Sequence, residues 1–219
     1  MSILRGRVDT ASILQTAGGL CAAGGTVLAL AACLCLLSGC IGDQLHLLSD
    51  RFGTSFDFEA ESGPDLVIID LRLCRTGAAQ QCGPAALTTV WRHYANWSDP
   101  DAKDALARLC GTRKGPWTLG ELESVSREAG YEAVTARADL AQVREWVDKG
   151  WPPLVALRGV ESDGHLCVVA GYHRTKGYFV LADPQAGFRK YSEGRFLRRW
   201  ELTGRACVLV LPKAGVSDG

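Results

Sequence analysis

The chain has 219 residues, 24 basic and 24 acidic, so its formal net charge is zero, and 47% of it is hydrophobic. A balanced charge lacks the basic excess that accompanies nucleic-acid binding, and the length suits one domain with a substantial core. No Cys-x-x-Cys pair and no His/Cys cluster at zinc-ligand spacing occurs, so the sequence predicts neither metal nor cofactor.

Arg5 and Arg7 precede a stretch from Thr10 through Gly39 that holds no charged residue, with an apolar core from Val27 to Leu37. This order of basic region, apolar region and small-residue cleavage site reads as a secretory signal. Leu37-Ser38-Gly39-Cys40 resembles the lipobox of bacterial lipoproteins, which implies cleavage before Cys40 and lipidation of its thiol. The chain would then be anchored in the cell envelope through lipid. Ile41 in place of Asp favours an outer membrane, facing the periplasm, in a Gram-negative cell. The alternative is an uncleaved membrane anchor, since the run exceeds the roughly 20 residues a span needs. Gly18, Gly19, Gly24 and Gly25 dilute that run and favour the signal. The predicted organisation is a signal over 1–39, a polar, Gly-containing tether over 40–63, one domain over 64–213 and a tail over 214–219.

Within the domain, Asp65 to Leu73 is β-branched and apolar enough for a strand. A loop from Cys74 to Gln81 leads into a helix from Cys82 to about Tyr94, with Ala85, Ala86, Leu87, Val90 and Trp91 at helical spacing. Ser98-Asp99-Pro100 starts a second helix. Thr118 with Glu121 has the order of a capping box and starts a third, ending near Gly130. Tyr131–Thr135 reads as a short strand and Asp139–Lys149 as a fourth helix, stopped by Gly150-Trp151-Pro152-Pro153. The period then changes. Leu154–Leu157, His165–Tyr172 and Tyr178–Asp183 read as strands, Gly187 and its neighbours as a turn, Phe196–Trp200 as a brief helix capped by Ser192, and Cys207–Leu211 as a last strand. A helical part followed by an antiparallel β part is an α+β layout.

Nine cysteines occur. Cys21, Cys33 and Cys35 lie in the signal, and Cys40 is the lipidation site. The other five are Cys74, Cys82, Cys110, Cys167 and Cys207. An odd number in an oxidising compartment fits one free thiol with up to two disulfides. Cys82 is the natural free one, and Cys74–Cys110 is the first pair to test. Cys167 and Cys207, in apolar strand-like runs, read equally well as buried, inert thiols.

Chemistry concentrates on Cys82, His165 and Asp183. A thiol attacks only as its thiolate, which requires a base for the proton and a third group to fix the tautomer of that base. Cys82 opens a helix, where unpaired N–H groups and the helix dipole favour negative charge on sulfur and on an oxyanion. His165 and Asp183 lie on successive strands and can meet across a hairpin. Taken singly, each has a plain structural reading as a small buried residue, a strand-end histidine and a turn former. His46, His93 and His173 read as surface residues, and Arg198 and Arg199 as a solvated helix face.

Gln81-Cys82-Gly83-Pro84-Ala85-Ala86-Leu87, Gly164-His165 through Tyr172, Ala182-Asp183-Pro184-Gln185-Ala186-Gly187 and Phe196 through Trp200 resemble the papain-like cysteine peptidases that process bacteriocins behind double-glycine leaders. The resemblance spans roughly residues 65–212 and implies a papain-like fold, with Cys82 as nucleophile, His165 as base and Asp183 as orienter. It also implies a peptide or protein substrate and, since no transporter segment follows, export machinery encoded elsewhere. Family members usually carry an oxyanion-binding Gln five or six residues before the nucleophile, where this chain has Gly77 and Thr76. Gln81 and Gln80 are the substitutes at hand. Beside an active peptidase, two other readings stand: a peptide-binding pseudo-peptidase, and a transferase or amidase on the same scaffold.

Overall fold

The computed structural model describes residues 53–112, 115–159 and 162–213. The predicted signal, the lipidation residue Cys40, His46, most of the tether and the tail lie outside the described residues.

Among the described residues, five helices and eight strands follow in chain order: β1 (Thr54–Ser55), β2 (Leu66–Ile68), α1 (Cys82–Ala95) after a 3-10 turn (Ala79–Gln81), α2 (Asp99–Thr112), α3 (Leu119–Glu128), β3 (Glu132–Arg137), α4 (Leu140–Asp148), β4 (Leu154–Gly159), β5 (Ser162–His173), β6 (Tyr178–Asp183), β7 (Gly187–Ser192), α5 (Glu193–Glu201) and β8 (Ala206–Leu211). Among the described residues the strands form one antiparallel sheet in the order β1-β7-β6-β5-β4-β8-β3, with β2 also paired to β5. This is the α+β arrangement expected from the change of period at Trp151.

Two helices begin as their sequences dictate. Thr118 and Glu121 exchange side-chain and backbone hydrogen bonds at the start of α3, and Asp139 and Gln142 do the same for α4. Each capping box satisfies two N–H groups that a helix start leaves without partners. Helix α1 is held instead by burial. Ala85, Ala86, Leu87 and Val90 are completely excluded from solvent, and apolar area of that extent is worth about 25 cal/mol per Å². Its buried threonines return their hydroxyls to the helix, Thr88 to Pro84 and Thr89 to Ala85.

Three boundaries differ from the sequence reading. Strand β2 is three residues long because the chain turns away after Ile69, whose N–H reaches Ala170. It then runs beside α1, where the Cys74 N–H donates to Thr89. Gly171 permits the β2 approach, since a Cβ there would lie 2.3 Å from the Val67 carbonyl oxygen. Gly187–Ser192 is a strand rather than a turn, paired along its whole length with β6. Its alternation is masked by Arg189 and Lys190. The domain also begins earlier than residue 64. Thr54–Ser55 pairs with β7, Phe56 is buried, and Glu61 pairs with Lys190 and accepts from the Tyr178 hydroxyl at 2.8 Å. The carboxyl of Glu61 is held down at about 2, chiefly by Lys190 and Tyr178.

His173 is buried rather than at the surface, its Nδ1 accepting from the N–H groups of Thr175 and Lys176 in the β5–β6 turn. Arg198 is exposed as expected. Arg199 is instead half-buried and donates to the Tyr191 hydroxyl.

Candidate active site

Cys82 is the first residue of α1 and is 8% exposed. Gly83 lets the helix start press against its surroundings: a Cβ there would lie 3.1 Å from both Leu166 Cδ1 and Trp117 Cβ. This contact brings the head of α1 to the start of β5, where His165 lies.

His165 Nε2 is 2.8 Å from Asp183 Oδ2, with the aspartate side chain fully buried and that of His165 12% exposed. The second aspartate oxygen, Oδ1, accepts from the N–H groups of Gln185 and Ala186 at 2.8 and 3.1 Å. The turn after β6 therefore grips the carboxylate while the imidazole takes its other side. The three residues singled out from sequence act on one another, since the His165 side chain that contacts Asp183 also lowers the Cys82 thiol.

Their electrostatics are mutually reinforcing. Burial pushes the Cys82 thiol up, but the His165 side chain and the N–H groups of Leu166 and Gly83 outweigh it, and the thiol ends below its ordinary value. For Asp183, burial again opposes ionisation and is overcome by His165 and the two turn N–H groups, so the carboxyl titrates below the usual range. For His165, burial disfavours the charged ring, yet Cys167, Asp183 and Cys82 together raise it well above an ordinary imidazole. The arrangement favours a thiolate beside an imidazolium, the reactive form of a thiol nucleophile.

The two candidate oxyanion residues differ. Gln80 is exposed on the 3-10 turn. Gln81, directly before Cys82, is half-buried, and its Oε1 accepts from the Thr76 hydroxyl at 2.8 Å. Thr76, at one of the two positions where Gln was expected, also donates its N–H to the Pro184 carbonyl at 2.9 Å. The loop before the nucleophile is thereby tied to the turn that holds Asp183.

All five described cysteines are free, so the Cys74–Cys110 pairing is absent. Cys74 is buried below α1, and Cys110 lies near the end of α2. Sequence reasoning missed Cys167, which is fully buried and has its thiol within 4.8 Å of a His165 ring nitrogen. Its position two residues after His165 on a strand, and hence on the same face, was the available signal. Tyr191, also fully buried, was missed as well; its hydroxyl is raised first by burial and next by the charge of Cys167.

The model of the peptidase C39 family matches residues 71–212. Among curated proteins none matches. Solved structures that share the fold include the following three. A double-glycine-motif protease from an AMS/PCAT transporter, solved with its leader peptide, is 19% identical over 67% of this chain and 94% of its own, with a TM-score of 0.52. The peptidase domain of Streptococcus ComA, a bifunctional ABC transporter of a quorum-sensing pathway, is 22% identical over 65% and 98%, with a TM-score of 0.53. A C39-like peptidase from Bacillus anthracis is 13% identical over 68% and 98%, with a TM-score of 0.54.

Proposed function

Because the chain belongs to the peptidase C39 family and is a cysteine peptidase, we propose that Cys82, His165 and Asp183 cut a peptide or protein substrate behind a double-glycine leader. The observation that carries this reading is the buried 2.8 Å contact between His165 and Asp183, with the same imidazole lowering the Cys82 thiol.

In the proposed reaction the Cys82 thiolate attacks the scissile carbonyl carbon, and the carbonyl oxygen becomes an oxyanion. The backbone N–H groups at the head of α1 point toward it. Gln81 adds a side-chain donor. With Oε1 engaged by Thr76, the NH2 group is the part of the amide left to bind negative charge. His165 passes its proton to the leaving amine, and a water attacks the thioester after giving a proton back to the imidazole. Asp183 holds the ring in the tautomer that makes both transfers work.

The site of action is the cell envelope, with the chain tethered through Cys40. A double-glycine protease bound to its leader peptide and a peptidase domain of an ABC transporter share the fold. Their company supports a peptide substrate delivered by export machinery. The test is incubation of the full chain with peptides that carry a Gly-Gly junction, followed by mass spectrometry of the products. Cleavage after the second Gly by the wild type and not by Cys82→Ala is expected. An intact library in the presence of rapidly alkylated Cys82 overturns the peptidase reading. For the tether, the membrane fraction should yield an acylated peptide beginning at Cys40, and an unmodified soluble chain removes that part.

A further inference from the structure

Two thiols act on His165, and the proposed reaction uses only Cys82. Cys167 is the other, with no exposed surface. Extending the β5–β6 register by one residue from the Val168↔Ala182 pair sets Cys167 across from Asp183. Side chains alternate along strands, so His165, Cys167 and Asp183 share one face of the sheet. One ligand atom from each lies within 4.8 Å of the others. Thiolate, imidazole and carboxylate are the side chains that bind zinc. A thiolate and a carboxylate also balance a dication, which matters where an uncompensated charge is costly.

We propose that Cys167, His165 and Asp183 form a binding site for a zinc-class divalent cation whose occupation switches the peptidase off. The cation displaces the thiol proton of Cys167 and any proton held between His165 and Asp183, and both protons pass to solvent. Zinc bonds of about 2.0–2.3 Å space tetrahedral ligand atoms about 3.3–3.8 Å apart. The His165–Asp183 contact of 2.8 Å must widen slightly and Cys167 must draw in. Of the three side chains His165 alone reaches solvent, so entry is through the cleft that serves Cys82. Coordination at Nε2 leaves the imidazole neutral with its proton on Nδ1. Such a ring is no longer the imidazolium that steadies the Cys82 thiolate, and its Nδ1 proton is held too tightly to pass to a leaving amine, so the acid–base role is lost without Cys82 becoming a ligand. Motif reading misses this cluster because its members come from two strands rather than one spaced run.

The test is titration of the full chain in detergent with cobalt(II) and then zinc, without any substrate. Wild type and Cys82→Ala should each take one equivalent of cobalt with a thiolate-to-cobalt absorption band. Cys167→Ala should lose the band and bind zinc about tenfold or more weakly. Cys167→Ser, which keeps a side chain of similar size, should match it, with cooperative thermal unfolding as the check on folding. Zinc should slow alkylation of Cys82 about tenfold in the wild type and leave it unchanged in Cys167→Ala. Loss of the band in Cys82→Ala assigns the cation to the Cys82–His165 pair and overturns the proposal, as does unchanged binding in both Cys167 variants. Either result leaves the peptidase reading intact, since no cleavage is measured.

Discussion

The two ends of the candidate site are held by different kinds of structure. At the base end, Asp183 closes a fully buried strand, accepts two turn N–H groups and faces His165 on the neighbouring strand. At the nucleophile end, Cys82 sits on a buried helix, but the residues before it form a loop and a single 3-10 turn. A half-buried Gln81 there is fixed by one hydrogen bond from Thr76. Sheet geometry determines the first end several times over, whereas the second depends on a few polar contacts. Substitutions should therefore separate into those that remove chemistry outright and those that loosen its alignment.

The largest effects are expected at the reacting atoms. Cys82→Ala and His165→Ala should each lower peptide cleavage by about 10⁴-fold or more, with an unchanged unfolding midpoint in the cysteine variant. Alkylation kinetics refine the second case. With the thiol held below its ordinary value, labelling of the wild type should stay fast as pH falls below 8. In His165→Ala it should fall off as an ordinary thiol does. Identical pH profiles for the two proteins would mean that His165 does not govern the thiolate.

Asp183→Asn comes next, at about 10²–10⁴-fold in kcat. The amide oxygen can keep the Gln185 and Ala186 hydrogen bonds, so the loss reports on His165 rather than on the turn. The same variant should change stability in one direction with pH. The Asp183 carboxyl is lowered in the folded protein, so its contribution is present above the unfolded value near pH 4. It is lost as pH falls through the lower, folded value. Urea unfolding between pH 7 and pH 3 should show this acid loss in wild type and less of it in Asp183→Asn. Equal acid sensitivity would assign the effect to other carboxylates, such as Glu61.

How far the sequence could be read follows the same division. The helix starts were legible because caps are local: Thr118 with Glu121 and Asp139 with Gln142 act within one turn. Strands β5 and β6 were legible because burial on both faces leaves continuous apolar runs. Cys82, His165 and Asp183 were legible as a set for their order and the blocks around them. Cys167 was not, since an apolar neighbourhood makes a thiol look inert until the facing strand is known. Strand β7 was hidden by Arg189 and Lys190, and the inclusion of residues 53–61 depends on pairing with chain more than 120 residues later. The link between Thr76 and Gln81 was also invisible, because a loop hydrogen bond leaves no period in the sequence.

Gln81→Ala and Thr76→Ala probe that link and are the smallest effects expected. Removing an oxyanion donor costs about 10²–10³-fold, which is the expectation for Gln81→Ala, with Cys82 labelling unaffected because the thiolate does not depend on the amide. Thr76→Ala removes only the bond that orients the amide, worth about 0.5–1.5 kcal/mol. A fall in kcat of roughly 2- to 10-fold follows, with KM little changed. Thr76→Ser keeps the hydroxyl and should restore most of it. The Thr76 N–H to Pro184 remains in every variant, so the tether between loop and turn survives and the comparison isolates the side chain. Should Gln81→Ala cost no more than Thr76→Ala, the oxyanion is held by the helix N–H groups alone, and the loop serves only to close the cleft.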